Sequence, residues 1–267
     1  MTGSPETSAT VEEGGSKVSA ARIEIDQNRK SLRAEGNSRA VFVPEKDGPA
    51  QASTLLGDPS RPTYGKADRI VLDRETRLAA LSGGASLWQD TSSIFADDIT
   101  LNDAERTAVA VGKVRAVLAR PPASAAPAAS GAKEEPAVVT ARRLLYRESE
   151  SSAVFEDGVT ITRGTWRATG DRGVAWFGKD RKLERVELSG GVTLADRATG
   201  RTGTGDRAID YPREGRTVLS GSPARVSDAE GNRVAGSTLT ITGRGKNVEV
   251  TAPEGGRTET IHKTKAD

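Results

Sequence analysis

Apolar and polar residues alternate along most of this chain, while apolar spacings of three and four are nearly absent. That pattern predicts strands and hardly any helix. Turn clusters rich in glycine recur roughly every ten to fifteen residues, as in an all-β sandwich, barrel or solenoid. The clearest unit is Leu188-Ser189-Gly190-Gly191-Val192-Thr193-Leu194, which reads as strand, glycine bend and strand. A second recurring piece, Gly205-Asp206-Arg207-Ala208-Ile209-Asp210-Tyr211, leads from small and charged residues into two apolar residues one position apart.

Such doublets are Ile70 and Leu72, Ile99 and Leu101, Leu144 and Tyr146, Val174 and Trp176, Ile209 and Tyr211, and Leu239 and Ile241. Their first members lie 29, 45, 30, 35 and 30 residues apart. The long gap contains residues 119–137, mostly Ala, Pro and Ser, which read as a loop or linker, and removing it largely restores a period near thirty. Side chains alternate between the faces of a strand, so each doublet sets two apolar groups on one face. Val159 and Ile161, and Val192 and Leu194, follow glycine bends and are expected to face the doublets from a second sheet. No thirty-residue unit could bury its share alone, so the repeats are expected to stack into one apolar stripe.

Around this repeat, residues 1–20 are rich in Ser, Thr, Gly and Glu and read as a disordered tail, with no apolar run of signal-peptide type. Export would therefore require a signal already removed or lying upstream. Residues 44–62 hold four prolines and two glycines and read as a surface excursion. Residues 253–267 read as a polar tail. The organised part is then 21–118 and 138–252.

Composition narrows the function. Aromatics are only 4% of the 267 residues, so the core is expected to be thin, elongated, or completed by an apolar ligand or a second chain. Lys and Arg number 39 against 37 Asp and Glu, spread along the chain, which gives no electrostatic reason to expect nucleic acid. With no Cys and one His, His262, the chain can assemble neither a Ser-His-Asp triad nor a thiolate or histidine metal cluster. No cofactor is expected. Gly203-Thr204-Gly205-Asp206-Arg207-Ala208 has the letters of a dinucleotide motif, yet strand and Pro212 follow it where a helix is required. Asp97 and Asp98 are adjacent on a strand and point apart, while Asp171, Asp206 and Asp210 recur with the repeat as solvated strand-end residues would. The chain is not expected to be an enzyme. Arg69, Arg142, Arg143, Arg172 and Arg207 read as strand-edge gatekeepers or as ligands of an anion.

The repeat resembles the OstA-like periplasmic proteins of the lipopolysaccharide-transport bridge. The residues that carry the resemblance are Leu188 to Leu194, the approach Ala141-Arg142-Arg143-Leu144-Leu145-Tyr146, and the hairpin from Leu219-Ser220-Gly221-Ser222-Pro223 through Asp228 to Ile241. It covers about 22–253 and is strongest over 138–252. The resemblance implies an open, V-shaped β-jellyroll whose hydrophobic slit receives lipopolysaccharide acyl chains, in a periplasmic protein serving outer-membrane biogenesis. It also implies head-to-tail self-association, or edge-strand pairing with other transport components. The slit is expected to be lined by the six doublets together with Val159, Ile161, Val192 and Leu194. Two rivals are a self-assembling β scaffold with a dry core, and a β-solenoid carbohydrate enzyme, which would need converging carboxylates.

Overall fold

The structure, a computed structural model, describes residues 8–13, 15–43, 56, 60–118, 136–179, 183–242, 247–251 and 259–261. Among them every regular element is a strand, and all the strand pairs are antiparallel. The chain divides into two compact units, Met1–Ala129 with Arg142–Glu150, and Ser130–Ala141 with Ser151–Asp267.

The first unit contains β1 (Ala9–Glu13), β2 (Ser16–Ala20), β3 (Arg22–Asp26), β4 (Ser31–Phe42), β5 (Thr63–Asp73), β6 (Leu78–Gln89), β7 (Ser92–Asn102) and β8 (Thr107–Leu118). Strands β4 to β8 pair in chain order, while β2 and β3 both pair with β4 and β1 pairs with β2. In β9 (Ala137–Arg147), residues 142–147 belong to the first unit and 137–141 to the second. The second unit continues with β10 (Ser152–Arg163), β11 (Trp166–Phe177), β12 (Leu183–Asp196), β13 (Arg201–Tyr211), β14 (Arg216–Ser227) and β15 (Arg233–Thr242), paired in order. Both β16 (Asn247–Thr251) and β17 (Glu259–Ile261) pair with β15.

Three expectations change at the margins. Residues 9–13 and 16–20 are strands, not tail, because Val18 and Ala20 alternate inward and are buried there. The polar C-terminal stretch contributes β17, and His262 lies outside the described residues. Within 44–62, read as a surface excursion, Leu56 is buried, and the rest of 44–59 lies outside the described residues, as does 119–135.

Local chemistry explains both ends and middles of the long strands. Hairpins close on acceptors at their first corner: Asp73 Oδ1 accepts the Thr76 N–H (2.9 Å), Asn102 Oδ1 that of Glu105 (3.0 Å), and Asp196 Oδ1 that of Ala198 (3.0 Å). The loop then ends on a residue of positive φ, such as Arg77, Arg106 or Gly200, before the next strand. Half-way along, register shifts fall at Lys66/Arg69, Ser82/Ala85, Phe95/Asp98, Thr169/Arg172 and Ser189/Val192, so each long strand is bent at a bulge. At Gly190 (φ +82°) an added Cβ would lie 2.7 Å from the Asp171 Cβ, and at Gly83 (φ +80°) it would lie 2.9 Å from that of Asp68. Glycine is thus required twice over at these bends, by conformation and by the carboxylate packed across it. Asp206 plays a related part, its Oδ2 accepting the Ser222 N–H across the bend of β14 (3.2 Å). Asp68, Asp171 and Asp206 are therefore exposed mid-strand bend residues and not strand-end residues, whereas Asp210 lies near the end of β13 (Arg201–Tyr211).

Candidate functional site

Bending folds each unit's sheet over on itself into two facing halves, and the inward side chains run in cross-strand rows. In the first unit the row next to the bend is Ala34, Ile70, Leu81, Ile99 and Ala110, all buried to 2% exposure or less. One step nearer the hairpins the row is Leu32, Leu72, Ala79, Leu101 and Ala108, where Leu32, Leu72 and Ala79 are half-buried. Opposite them lie Ala40, Gly65, Leu87, Ile94 and Ala116. The halves meet at the bend: a Cβ on Gly65 would touch Leu81 Cδ2 at 3.1 Å.

The second unit repeats the plan. Its bend row is Phe155, Gly173, Leu188, Ala208, Leu219 and Leu239, and the row beyond is Ala153, Ala175, Val186, Asp210, Thr217 and Ile241. Facing these are Val159, Val192 and Ala224 at the bend, then Ile161, Ala168, Leu194, Gly203 and Val226. Glycines receive large side chains from the facing half, with Val159 Cγ1 3.2 Å from a Cβ placed on Gly173 and Leu219 Cδ2 3.2 Å from one on Gly203. On several strands burial falls with distance from the bend, as from Ile70 to Leu72, Val159 to Ile161, Val192 to Leu194 and Leu239 to Ile241, whereas Thr63, Gln89, Ser92 and Ala153 stay buried beyond it. Where burial falls, the inner face is a wedge, closed at the bend and opening toward a mouth.

The two mouths differ. In the first unit Leu56 lies between the halves, against Leu87, Ile94, Ile99, Leu101, Ala108 and Leu144, leaving a void of only about 10 Å³. That is at the lower limit for one water. In the second unit the mouth row carries Asp210, whose Oδ1 accepts the Thr217 hydroxyl (2.7 Å). Burial pushes the Asp210 carboxyl above its ordinary range, against the opposing pull of the Thr217 hydrogen bond and the Arg163 charge.

Of the expected lining residues, Ile70, Leu72, Ile99, Leu101, Val159, Ile161, Val192, Leu194, Leu239 and Ile241 lie on inner faces, as does Leu144 against Leu56, with Tyr146 two positions on. Val174, Trp176, Ile209 and Tyr211 alternate with the inward row and point away from it, the last three half-buried and Val174 buried there at 5% exposure. Val174 and Ile209 flank Glu187, which accepts both hydrogen bonds of a bidentate pair with Arg207 (2.7 Å each). The Arg185 guanidinium sits 3.9 Å over Trp176 and that of Arg216 4.0 Å over Tyr211. The inward pair on β11 is Gly173 and Ala175, and on β13 Ala208 and Asp210, so the two large apolar residues on each of these strands point the other way. Arg69, Arg172 and Arg207 follow the bend aspartates on interior strands and guard no sheet edge. Leu56, Leu81, Leu188, Leu219 and Asp210 escaped the doublet pattern. A small-x-x-apolar frame, as in Ala67-Asp68-Arg69-Ile70 and Gly205-Asp206-Arg207-Ala208, finds the inward positions.

Comparison with known proteins adds a family. The family described as LptA/(LptD N-terminal domain) LPS transport protein matches residues 9–107 and 138–247. Among solved structures, one similar chain is LptH, the LptA homologous periplasmic component of the lipopolysaccharide transport device from Pseudomonas aeruginosa. It is 20% identical and aligned over 49% of this chain and 96% of its own, with a TM-score of 0.43. No curated protein is matched.

Proposed function

This chain belongs to the LptA/LptD N-terminal-domain family of LPS transport proteins, and from that premise we propose that it carries lipopolysaccharide through the periplasm toward the outer membrane, without catalysis, by holding acyl chains in its wedge-shaped inner faces. The supporting observation is the gradient along each wedge, from fully buried Ile70 and Leu239 at the bend to half-buried Leu72 and Ile241 at the mouth. Apolar positions that the protein itself leaves half-covered are where a hydrocarbon gains most. Neighbouring strands are about 4.8 Å apart, so a row crossing six strands offers an apolar floor of about 25 Å, longer than an acyl chain of roughly 15 Å. Burying about a dozen methylenes is worth about 10 kcal/mol, enough to bind without any reactive group. A mouth open along its length also lets cargo leave sideways.

For assembly, the same reading uses the sheet edges: β3, which exposes Ile25, at the N-terminal side and β16 with β17 at the other offer strands for head-to-tail pairing between copies or with other transport components. The test is in-cell photocrosslinking from a reactive residue placed at Leu72, at Ile241 or, as the outer-face control, at Ile209. Lipopolysaccharide adducts at 72 and 241 but not 209 are expected. Silence at 72 and 241 in a folded periplasmic protein overturns the reading in favour of a cargo-free scaffold.

A further inference from the structure

Among the described residues, the outer face of the first unit differs from the equivalent face of the second. Between the bends and the hairpin ends of β4 to β8, one cross-strand row reads Val41, Tyr64, Trp88, Ser93 and Val117, and the next reads Arg39, Lys66, Ser86, Phe95 and Arg115. Tyr64, Trp88 and Phe95 are 40%, 36% and 42% exposed, three of the five large apolar side chains that the described residues leave open. Lys17 on β2 extends the first row beside Val41. Across β4 to β8 neither row contains an acid, the first row meeting one only at Glu12 on β1 opposite Lys17, and among the described residues no ion pair engages Lys17, Arg39, Lys66 or Arg115. Of the carboxylates that flank β5 to β7, Asp97 pairs with Lys113 at 3.8 Å and Asp90 with Arg61 at 2.7 Å, and Asp68 packs on the bend glycine Gly83.

The fold does not demand this surface. The equivalent row of the second unit is Thr160, Thr169, Thr193, Thr204 and Arg225, a ladder of hydroxyls. Rows two residues apart on a strand lie about 6.7 Å apart, so rings and cations form one plate, the sheet counterpart of a basic amphipathic helix at a bilayer surface. A second copy of the same face is disfavoured, because an isologous contact would bring Arg39, Lys66 and Arg115 against their own symmetry mates. Sugar stacking is disfavoured too, since Tyr64 and Trp88 stack on each other with centroids 5.7 Å apart and planes within 15°.

We infer that this plate docks the first unit onto an anionic phospholipid surface, with Tyr64, Trp88 and Phe95 at headgroup depth and Arg39, Lys66 and Arg115 on the lipid phosphates. The inference is independent of acyl-chain carriage, because the plate lies on the opposite face of the sheet and the test contains no lipopolysaccharide. The full chain carrying Trp166→Phe and Trp176→Phe keeps Trp88 as its one tryptophan. It is sedimented with phosphatidylcholine vesicles, with or without about 30 mol% phosphatidylglycerol, some bearing brominated acyl chains. Binding to the anionic vesicles alone is expected, with blue-shifted Trp88 emission quenched by bromine. Each cation at such a surface changes partition about fivefold, so Arg39→Glu with Lys66→Glu should weaken binding by about 25-fold or more. Arg225→Glu on the second unit should leave it unchanged. Equal binding to neutral vesicles, unquenched Trp88, or indifference to the charge reversals in a protein of unaltered circular dichroism overturns the inference. So does a dimer in ultracentrifugation that Trp88→Ser dissolves.

Discussion

At the scale of single residues the bends are the most demanding positions. Gly190 and Gly191 both have positive φ, but only Gly190 has a neighbour in the way, the Asp171 side chain, while a Cβ on Gly191 meets open space. Alanine at Gly191 should cost about 1–2 kcal/mol for the left-handed conformation, and alanine at Gly190 clearly more, in urea denaturation of the two variants. Carboxylates divide into two groups with opposite pH behaviour. Hydrogen bonds from Thr76 hold Asp73 low, the Thr165 hydroxyl holds Asp196 low, and the Asn232 side chain holds Asp228 low. Their contribution is present at neutral pH and is lost as pH falls below the ordinary carboxylate range near 4. Asp210, raised by burial, binds its proton more tightly folded than unfolded, so its contribution is full in acid and lost as pH rises through its folded pKa. Asp210→Asn keeps an acceptor for Thr217 and should raise the melting temperature at pH 7.5, with the gain shrinking toward pH 4.

At the scale of elements, register decides facing. Shifting a strand by one residue sends every side chain to the other face, and β13 makes the consequence measurable. Ala208 is buried between Leu188 and Leu219, whereas Ile209 lies outside between Glu187 and Val218. Ala208→Asp should therefore unfold the second unit or cost it about 3 kcal/mol or more, the penalty of an unpaired buried charge. Ile209→Asp should cost under about 1 kcal/mol despite removing a larger apolar side chain. Equal losses in thermal denaturation would mean that the register drawn for β12 to β14 is wrong. Small inward residues on β11 and β13 are no weakness, since Gly173 and Gly203 accommodate Val159 and Leu219 from the facing half.

At the scale of the whole molecule, two units built on one plan have acquired different mouths. Leu56 fills the first, contributed by a segment rich in proline, while the second is edged by Asp210 and Thr217. Leu56→Ala should destabilise by about 2 kcal/mol, the lower end for a buried leucine because the void adjoins a mouth. If acyl chains enter there, it should also strengthen lipopolysaccharide crosslinking from Leu101. Under the proposed function, a leucine wedged at the mouth would compete with acyl chains for the same wall, and its removal would exchange stability for capacity.

The order of residues alone determined the long strands of the repeat, their hairpins, the period near thirty and the family, because alternation, corner acceptors and glycine bends are local properties written into each repeat, while the short strands β1, β2 and β17 lie in stretches that read as tails. The inward facing of Ile70, Ile99, Val192 and Leu239 was equally legible, since on those strands the larger apolar residues face the core. Only the tertiary structure decided the facing of β11 and β13, where Val174 and Ile209 point away from the inner row, Val174 buried all the same, because the facing half needs glycine and alanine inward. It alone also decided that aspartates brace the bends, that Leu56 enters a mouth, and that Tyr64, Trp88 and Phe95 share one exposed plate with Arg39 and Lys66. The reason is the same in each case: a strand has two faces of equal local standing, and which one is covered depends on partners distant in sequence.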